Sequence, residues 1–235
     1  MSDDIPRPQG ARARVRAELT AEIKAVARAH LAEHGADGLS LRAVARDMGM
    51  VSSALYRYYP SRDDLLTALI VDAYDAVGHA AETAEADVRR PDLMGRWLAV
   101  CTAARTWAVA HPHEWALIFG TPVPGYRAPT DTIDPAARIP TLLLALGVEA
   151  AARPGAAAID DGPIPRAVHA DLRLVREQLG SPIDDQRLAR GIAAWTALVG
   201  SINFELFGHL NNVVNAHEPF FLHQMRVVGR SLGLS

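Results

Sequence analysis

Ser40-Leu-Arg-Ala-Val-Ala-Arg-Asp-Met-Gly-Met-Val-Ser-Ser-Ala-Leu-Tyr-Arg-Tyr-Tyr-Pro60 reads as two short helices joined by a tight turn. Leu41, Val44, Ala45 and Met48 are spaced to share one face of a helix that begins after Ser40. Ser40 suits the N-cap, where its hydroxyl can accept a free backbone N–H of the first turn. Gly49 stands where the chain must turn, a place that favours a residue without Cβ. In the second helix Val51 and Leu55 form the predicted inward face, leaving Ser52, Ser53, Ala54, Tyr56, Arg57 and Tyr58 on the outer surface or at the helix end. Small side chains there let the backbone approach a groove, and Tyr and Arg reach phosphate oxygens or base edges. Pro60 disfavours helical backbone at Tyr59. Ser61 then caps the next helix, with Asp63 and Asp64 in a first turn that favours negative charge. This is the pattern of a helix-turn-helix.

Outward from this stretch, a helix over about 12–34 carries Leu19, Ile23, Val26, Ala27 and Leu31 on one face, and Gly35 stops it. It packs across the two short helices to complete a small core. A linking helix over about 62–90 carries Leu65, Leu66, Leu69, Ile70, Ala73 and Val77, with Pro91 beyond its end. Further helical runs are predicted over 92–110, broken by His111-Pro112, then 113–120, a Pro-rich loop 121–129, and 135–152. After a Pro/Gly-rich connection through Pro165 come 166–179, 184–209 and 217–232. No segment reads as a strand, a repeat or low complexity. The predicted class is all-α: a three-helix helix-turn-helix domain suited to DNA over 1–62, its arm about 1–12, and a larger helical domain over 63–235.

Of 235 residues 49% are apolar, enough for a sizeable core. No apolar run is long enough to span a bilayer, and the N-terminus lacks a signal-like hydrophobic region, so a cytoplasmic protein without a membrane partner is expected. The net charge of −3 hides an asymmetry. Residues 1–62 hold 10 Lys and Arg against 7 Asp and Glu, while 63–235 hold 14 against 20. The basic part is the one with the helix-turn-helix, as a nucleic-acid partner requires. Arg7, Arg12, Arg14 and Arg16 precede or open the first helix and read either as an arm that reaches DNA or as a solvated tail. The single cysteine, Cys101, sits in an apolar stretch and fits a reduced compartment better than a redox sensor.

Gly35, the run Ser40-Leu-Arg-Ala-Val-Ala, Gly49, Ser52 and Leu55-Tyr-Arg-Tyr-Tyr-Pro-Ser-Arg-Asp-Asp-Leu-Leu66 resemble the DNA-binding domain of the TetR/AcrR family of bacterial transcriptional regulators. The likeness covers about the first quarter of the chain without a gap. Tyr59 stands where phenylalanine is commoner and Arg62 where lysine is usual. The resemblance implies that Ser52, Ser53 and Ala54 approach base edges, that Tyr56, Tyr58 and Arg62 hold the phosphate backbone, and that Arg57 does either; Ser40 and Arg42 join the DNA-binding set. The segment 111–126, His-Pro-His-Glu-Trp-Ala-Leu-Ile-Phe-Gly-Thr-Pro-Val-Pro-Gly-Tyr, resembles the WHG-type effector domain of one subgroup. That second likeness implies an all-helical effector domain, so that 63–235 is expected to bind the effector and dimerise, and the family resemblance as a whole implies a homodimeric repressor on a palindromic operator, released by a small molecule. An alternative is a helical ligand-binding or protein-interaction module with a vestigial helix-turn-helix.

Trp107, Trp115, Phe119 and Tyr126 are the candidate lining of a ligand site; as aromatics they also read as ordinary core. His111, His113 and Glu114 lack the further ligands of a metal centre, so neither metal nor cofactor is expected. In the run 184–209, Ile192, Trp195, Leu198, Val199, Ile202 and Leu206 form a wide apolar stripe, and Gly191 and Gly200 allow close approach of a second helix. Trp195, Val199, Ile202 and Leu206 are the predicted dimer interface, the alternative being burial within one subunit. None of the usual catalytic or nucleotide-binding motifs occurs, and an enzyme is not expected.

Overall fold

The computed structural model describes residues 8–153, 162–179 and 183–234, which form ten α-helices and no strand. Helix α1 (Pro8–His34) ends at Gly35, whose φ of +69° is open to glycine at little cost. Helix α2 (Leu41–Asp47) and α3 (Ser52–Leu55) are separated by Gly49 at φ +66°. Helix α4 (Arg62–Ala86) opens with a capping box: the Ser61 hydroxyl accepts from the Asp64 N–H, and the Asp64 carboxylate accepts from the Ser61 N–H. Then follow α5 (Leu93–Ala110), α6 (Pro112–Phe119), α7 (Ile133–Ala151), α8 (Arg166–Leu179), α9 (Asp185–Leu206) and α10 (His217–Ser231).

Two hydrophobic cores meet along α4. Leu65, Leu66, Leu69 and Ile70 pack with Ile23, Ala27, Leu31, Val44 and Leu55 of the first three helices. Val77 and Ala81 pack with Trp97, Val100, Leu143, Leu198 and Met225 of the later ones. One rigid element therefore belongs to both cores, and burial of each such Leu or Ile is worth roughly 1.5–3 kcal/mol.

Several local expectations are corrected. Helix α1 begins at Pro8, so Arg12, Arg14 and Arg16 are exposed helical residues; Arg7 and the connection 154–161 lie outside the described residues. Ser40 has the extended backbone of an N-cap and its carbonyl accepts from the Val44 N–H, but its hydroxyl makes no capping bond. Val51 does not face inward: it stands before the first turn of α3 in extended conformation, 71% exposed, and Leu55 alone anchors that helix. Helix α4 stops at Ala86, one turn earlier than expected, because the chain must turn before Asp92, whose carboxylate caps α5 by accepting from the Gly95 N–H at 2.8 Å. Pro140 lies inside α7, one turn beyond Ala136.

Candidate nucleic-acid interface and ligand cavity

The surface presented by α2, α3 and the turn after it carries the residues singled out from the sequence. Arg42, Ser53 and Arg57 are exposed, Tyr56 is 42% exposed, and Ser40, Ser52, Ala54 and Tyr58 are half-buried. Helical hydrogen bonds continue past Leu55, from Tyr56 N–H to Ser52 O and from Tyr59 N–H to Leu55 O, so Tyr56 and Arg57 project from an ordered turn. Tyr59 turns inward and is buried. The Arg16 guanidinium lies 5.0 Å from the centre of the Tyr58 ring, a cation–π contact that brings the basic start of α1 beside α3.

Ion pairs and hydrogen bonds fix this surface to the molecule. His30 of α1 is buried, and its Nε2 meets Asp47 Oδ2 at the end of α2 at 2.7 Å. That hydrogen bond holds the Asp47 carboxyl below the usual range. Arg62 donates to the carbonyls of Ala36 at 2.7 Å and Leu39 at 3.2 Å, so its guanidinium pins the loop between α1 and α2 onto the start of α4. Asp72 of α4 accepts from Lys24 and Arg28 of α1, and Arg28 also reaches Glu114 of α6 at 3.0 Å.

A cavity of about 680 Å³ opens between α4, α6, α7, α8 and α9. Its walls are mainly apolar, with Ile70, Leu117, Ile118, Leu144, Leu188 and Ile192 prominent. Three aromatic residues join them. Tyr74 donates to the Ile118 carbonyl at 3.2 Å, and burial raises its phenol above the ordinary value. The Tyr126 hydroxyl meets the Thr67 hydroxyl at 2.9 Å. Trp195 lines the cavity too, and its indole N–H is buried without a partner among the described residues. A volume of this size with apolar walls and few polar groups is what a small organic ligand requires.

Of the four predicted lining residues, only Tyr126 lines this cavity. Trp115 is buried in the larger core and donates to Asn203 Oδ1 at 2.7 Å. Phe119 packs on Trp115 and Tyr74, and Trp107 stacks on His111. Cys101 is fully buried, which pushes its thiol well above the usual range and leaves no accessible thiolate. Among the predicted interface residues, Ile202 is fully buried within the chain, and Trp195, Val199 and Leu206 are half-buried against the same core. The open face of α9 lies on the other side of the helix, where Ala197, Gly200, Ser201 and 54%-exposed Phe204 form a groove with Val227 of α10.

Sequence reasoning missed the polar residues that tie the helices together. Arg96 is buried and donates to Glu85, also buried, and through two nitrogens to Glu149 at 2.6 and 3.1 Å. Arg105 and Glu205 form a two-bond pair between α5 and α9. No periodicity marks such pairs; only the presence of charges inside apolar runs hints at them.

Residues 23–69 match the model of the bacterial regulatory proteins of the tetR family, and residues 97–228 match that of the tetracyclin repressor-like C-terminal domain. The HTH-type transcriptional regulator Rv1816 of Mycobacterium tuberculosis (strain ATCC 25618 / H37Rv) is 40% identical over 200 residues, which is 85% of each chain. The solved structure of SCO4313, described as a regulatory protein, superposes with a TM-score of 0.76 at 34% identity over 95% of this chain and 98% of that one. At 15% identity, the fold is shared with TetR-Q116A from Acinetobacter baumannii AYE in complex with minocycline, TM-score 0.51 over 91% and 97% of the two chains.

Proposed function

Because the chain belongs to the TetR family of bacterial transcriptional regulators, which are DNA-binding proteins and not enzymes, we propose that it is a homodimeric, ligand-responsive repressor. It works in the cytoplasm, occupies a palindromic operator, and leaves it when a small molecule fills the cavity beneath α6. Among the described residues no helix is long and apolar enough to cross a membrane.

The observation that carries this reading is the position of α4. Its first turns share a core with the helix-turn-helix, and Ile70 and Tyr74 on the same helix wall the cavity. Residues 1–62 read DNA, and 63–235 bind the effector and dimerise. Ser52, Ser53 and Ala54 let α3 approach base edges, while Tyr56, Arg57, Ser40 and Arg42 engage phosphates along with Tyr58, which carries Arg16. Arg62 serves by holding the loop that orients α2.

Two copies place two recognition helices about 34 Å apart or a multiple of it, which gives the operator its symmetry. The open groove of α9 and α10, with Gly200 and Phe204, is the surface for that pairing, and Ile202 supports it from within the subunit. An effector that prefers the conformation with misplaced reading heads lowers operator affinity by its differential affinity for the two states. The minocycline complex of the structural neighbour supports a small-molecule site in this fold.

Selection from a random pool of DNA duplexes, washed at physiological salt, tests the reading. A palindromic motif is expected. No enrichment by ligand-free, folded protein would overturn it and leave a helical module with a vestigial reader.

A further inference from the structure

The side-chain charge around the cavity is of one sign. No lysine, arginine or histidine is among the described residues that line it, whereas Asp134 of α7 lines it and has no ion-pair partner among them. Further along α7, Pro140 has no N–H to give, so the carbonyl of Ala136, two residues after Asp134, loses its ordinary helical donor; Ala136 and Pro140 both line the cavity. Tyr74, Tyr126 and Trp195 add aromatic rings to an otherwise aliphatic wall. An anionic ligand would leave water with no cation to receive it, beside the exposed Asp134 carboxylate at the start of α7. A protonated amine on an apolar body meets the opposite situation, with a carboxylate, a carbonyl short of a donor and aromatic faces that attract cations.

We propose that the effector is a lipophilic amine, a mainly hydrocarbon or aromatic molecule carrying one positive charge that sits at the Asp134 end of the cavity. This rests on the reading of the cavity as the effector site. It separates this cavity from one suited to fatty acids or other lipophilic anions, which would need a basic residue in its wall.

A matched series isolates the charge from the hydrophobic term. Decylamine, decanol and decanoate share one alkyl chain and at pH 7 are cationic, neutral and anionic. They are titrated calorimetrically into the full-length protein below their micellar concentrations, in parallel with release of the selected operator. Decylamine is expected to bind about fivefold more tightly than decanol and at least about tenfold more tightly than decanoate, the scale set by one charge partner in a partly solvated site. In Asp134→Asn, at an exposed position, the advantage of amine over alcohol disappears while decanol binding is unchanged. Decanoate binding as well as decylamine, or an amine preference that survives Asp134→Asn, would overturn the charge assignment alone. If none of the three binds although the protein holds its operator, the cavity reading itself falls and this proposal with it. As a gain-of-function control, Thr141→Lys places a cation in the same wall and should raise decanoate affinity at least about tenfold.

Discussion

Arg28 Nε donates to Glu114 Oε1 at 3.0 Å, and through Nη2 the same guanidinium holds Asp72 at 2.7 Å. One side chain of α1 thus grips both α4 and α6, two helices that wall the cavity. Movement of α6 by a ligand against Leu117 and Ile118 would pull on α1 through Glu114. Glu114→Gln should leave decylamine binding intact but raise the amine concentration needed for operator release by roughly two- to fivefold, the worth of about 0.5–1 kcal/mol for a partly solvated pair. Fluorescence anisotropy of labelled operator measures it. An unchanged release curve would show that coupling runs through α4 alone.

Tyr56 and Ser53 are both exposed near the end of α3, yet they are suited to different tasks. On the proposed reading Tyr56→Ala removes a phosphate contact and should weaken every operator variant alike. Ser53→Asn should instead change the preferred base at one position of each half-site, by about 1–3 kcal/mol of discrimination. Comparing both variants on a panel of single-base operator mutants decides this, and equal effects on all sequences would refute the division.

Arg96, Glu85 and Glu149 form a charged knot between α4, α5 and α7, with Arg96 and Glu85 buried. Arg96→Met removes the buried guanidinium from Glu85 and leaves it only the exposed Arg90, whose Nη1 donates to it at 2.8 Å, and should cost about 3 kcal/mol in urea unfolding, the low end for breaking a buried pair. The hydrogen bond from Arg96 holds the Glu149 carboxyl below its ordinary value. Its contribution to stability is therefore complete above the unfolded-state value near 4.3 and is lost as pH falls through the lower folded one. Arg96→Met should accordingly flatten the loss of stability between about pH 5 and pH 3.

Gly49 joins α2 to α3 at φ +66°, and a Cβ placed on it meets nothing within 4 Å. The cost of Gly49→Ala is thus one of backbone conformation alone, about 1–2 kcal/mol. Calorimetric melting measures it. Operator affinity at a temperature where the variant is fully folded should change little.

Periodicity made the helices legible because each buries one stripe, and Gly35, Gly49, Ser61 and Asp92 punctuated them through conformations and caps that local chemistry decides. The candidate reading surface could be picked out for the same reason: its residues are close in sequence, around α2 and α3. The cavity was not. Its walls come from five helices, so Ile70, Leu144 and Ile192 meet only in three dimensions. Trp115 was drawn to the core by its partner Asn203, a pairing across 88 residues that no local pattern announces. The α9 stripe was ambiguous for a related reason: apolar residues surround most of that helix, and one face serves the subunit core while the other stays open.

Gly200 lies on that open face. It lines the groove with Phe204, and a Cβ built on it meets nothing within 4 Å, so the single subunit leaves open space where a side chain would start. Gly200→Leu should therefore leave the subunit folded, and removing a mid-helix glycine raises its helix propensity by up to about 1 kcal/mol. Across a two-fold axis the same leucine meets its own copy where two helices must come close, and the overpacking should cost the dimer about 1–3 kcal/mol. Sedimentation velocity at low micromolar concentration should shift toward monomer while far-ultraviolet circular dichroism stays native, and operator binding should fall because half-sites are then read singly. A dimer as tight as the wild type would place the interface elsewhere than this groove.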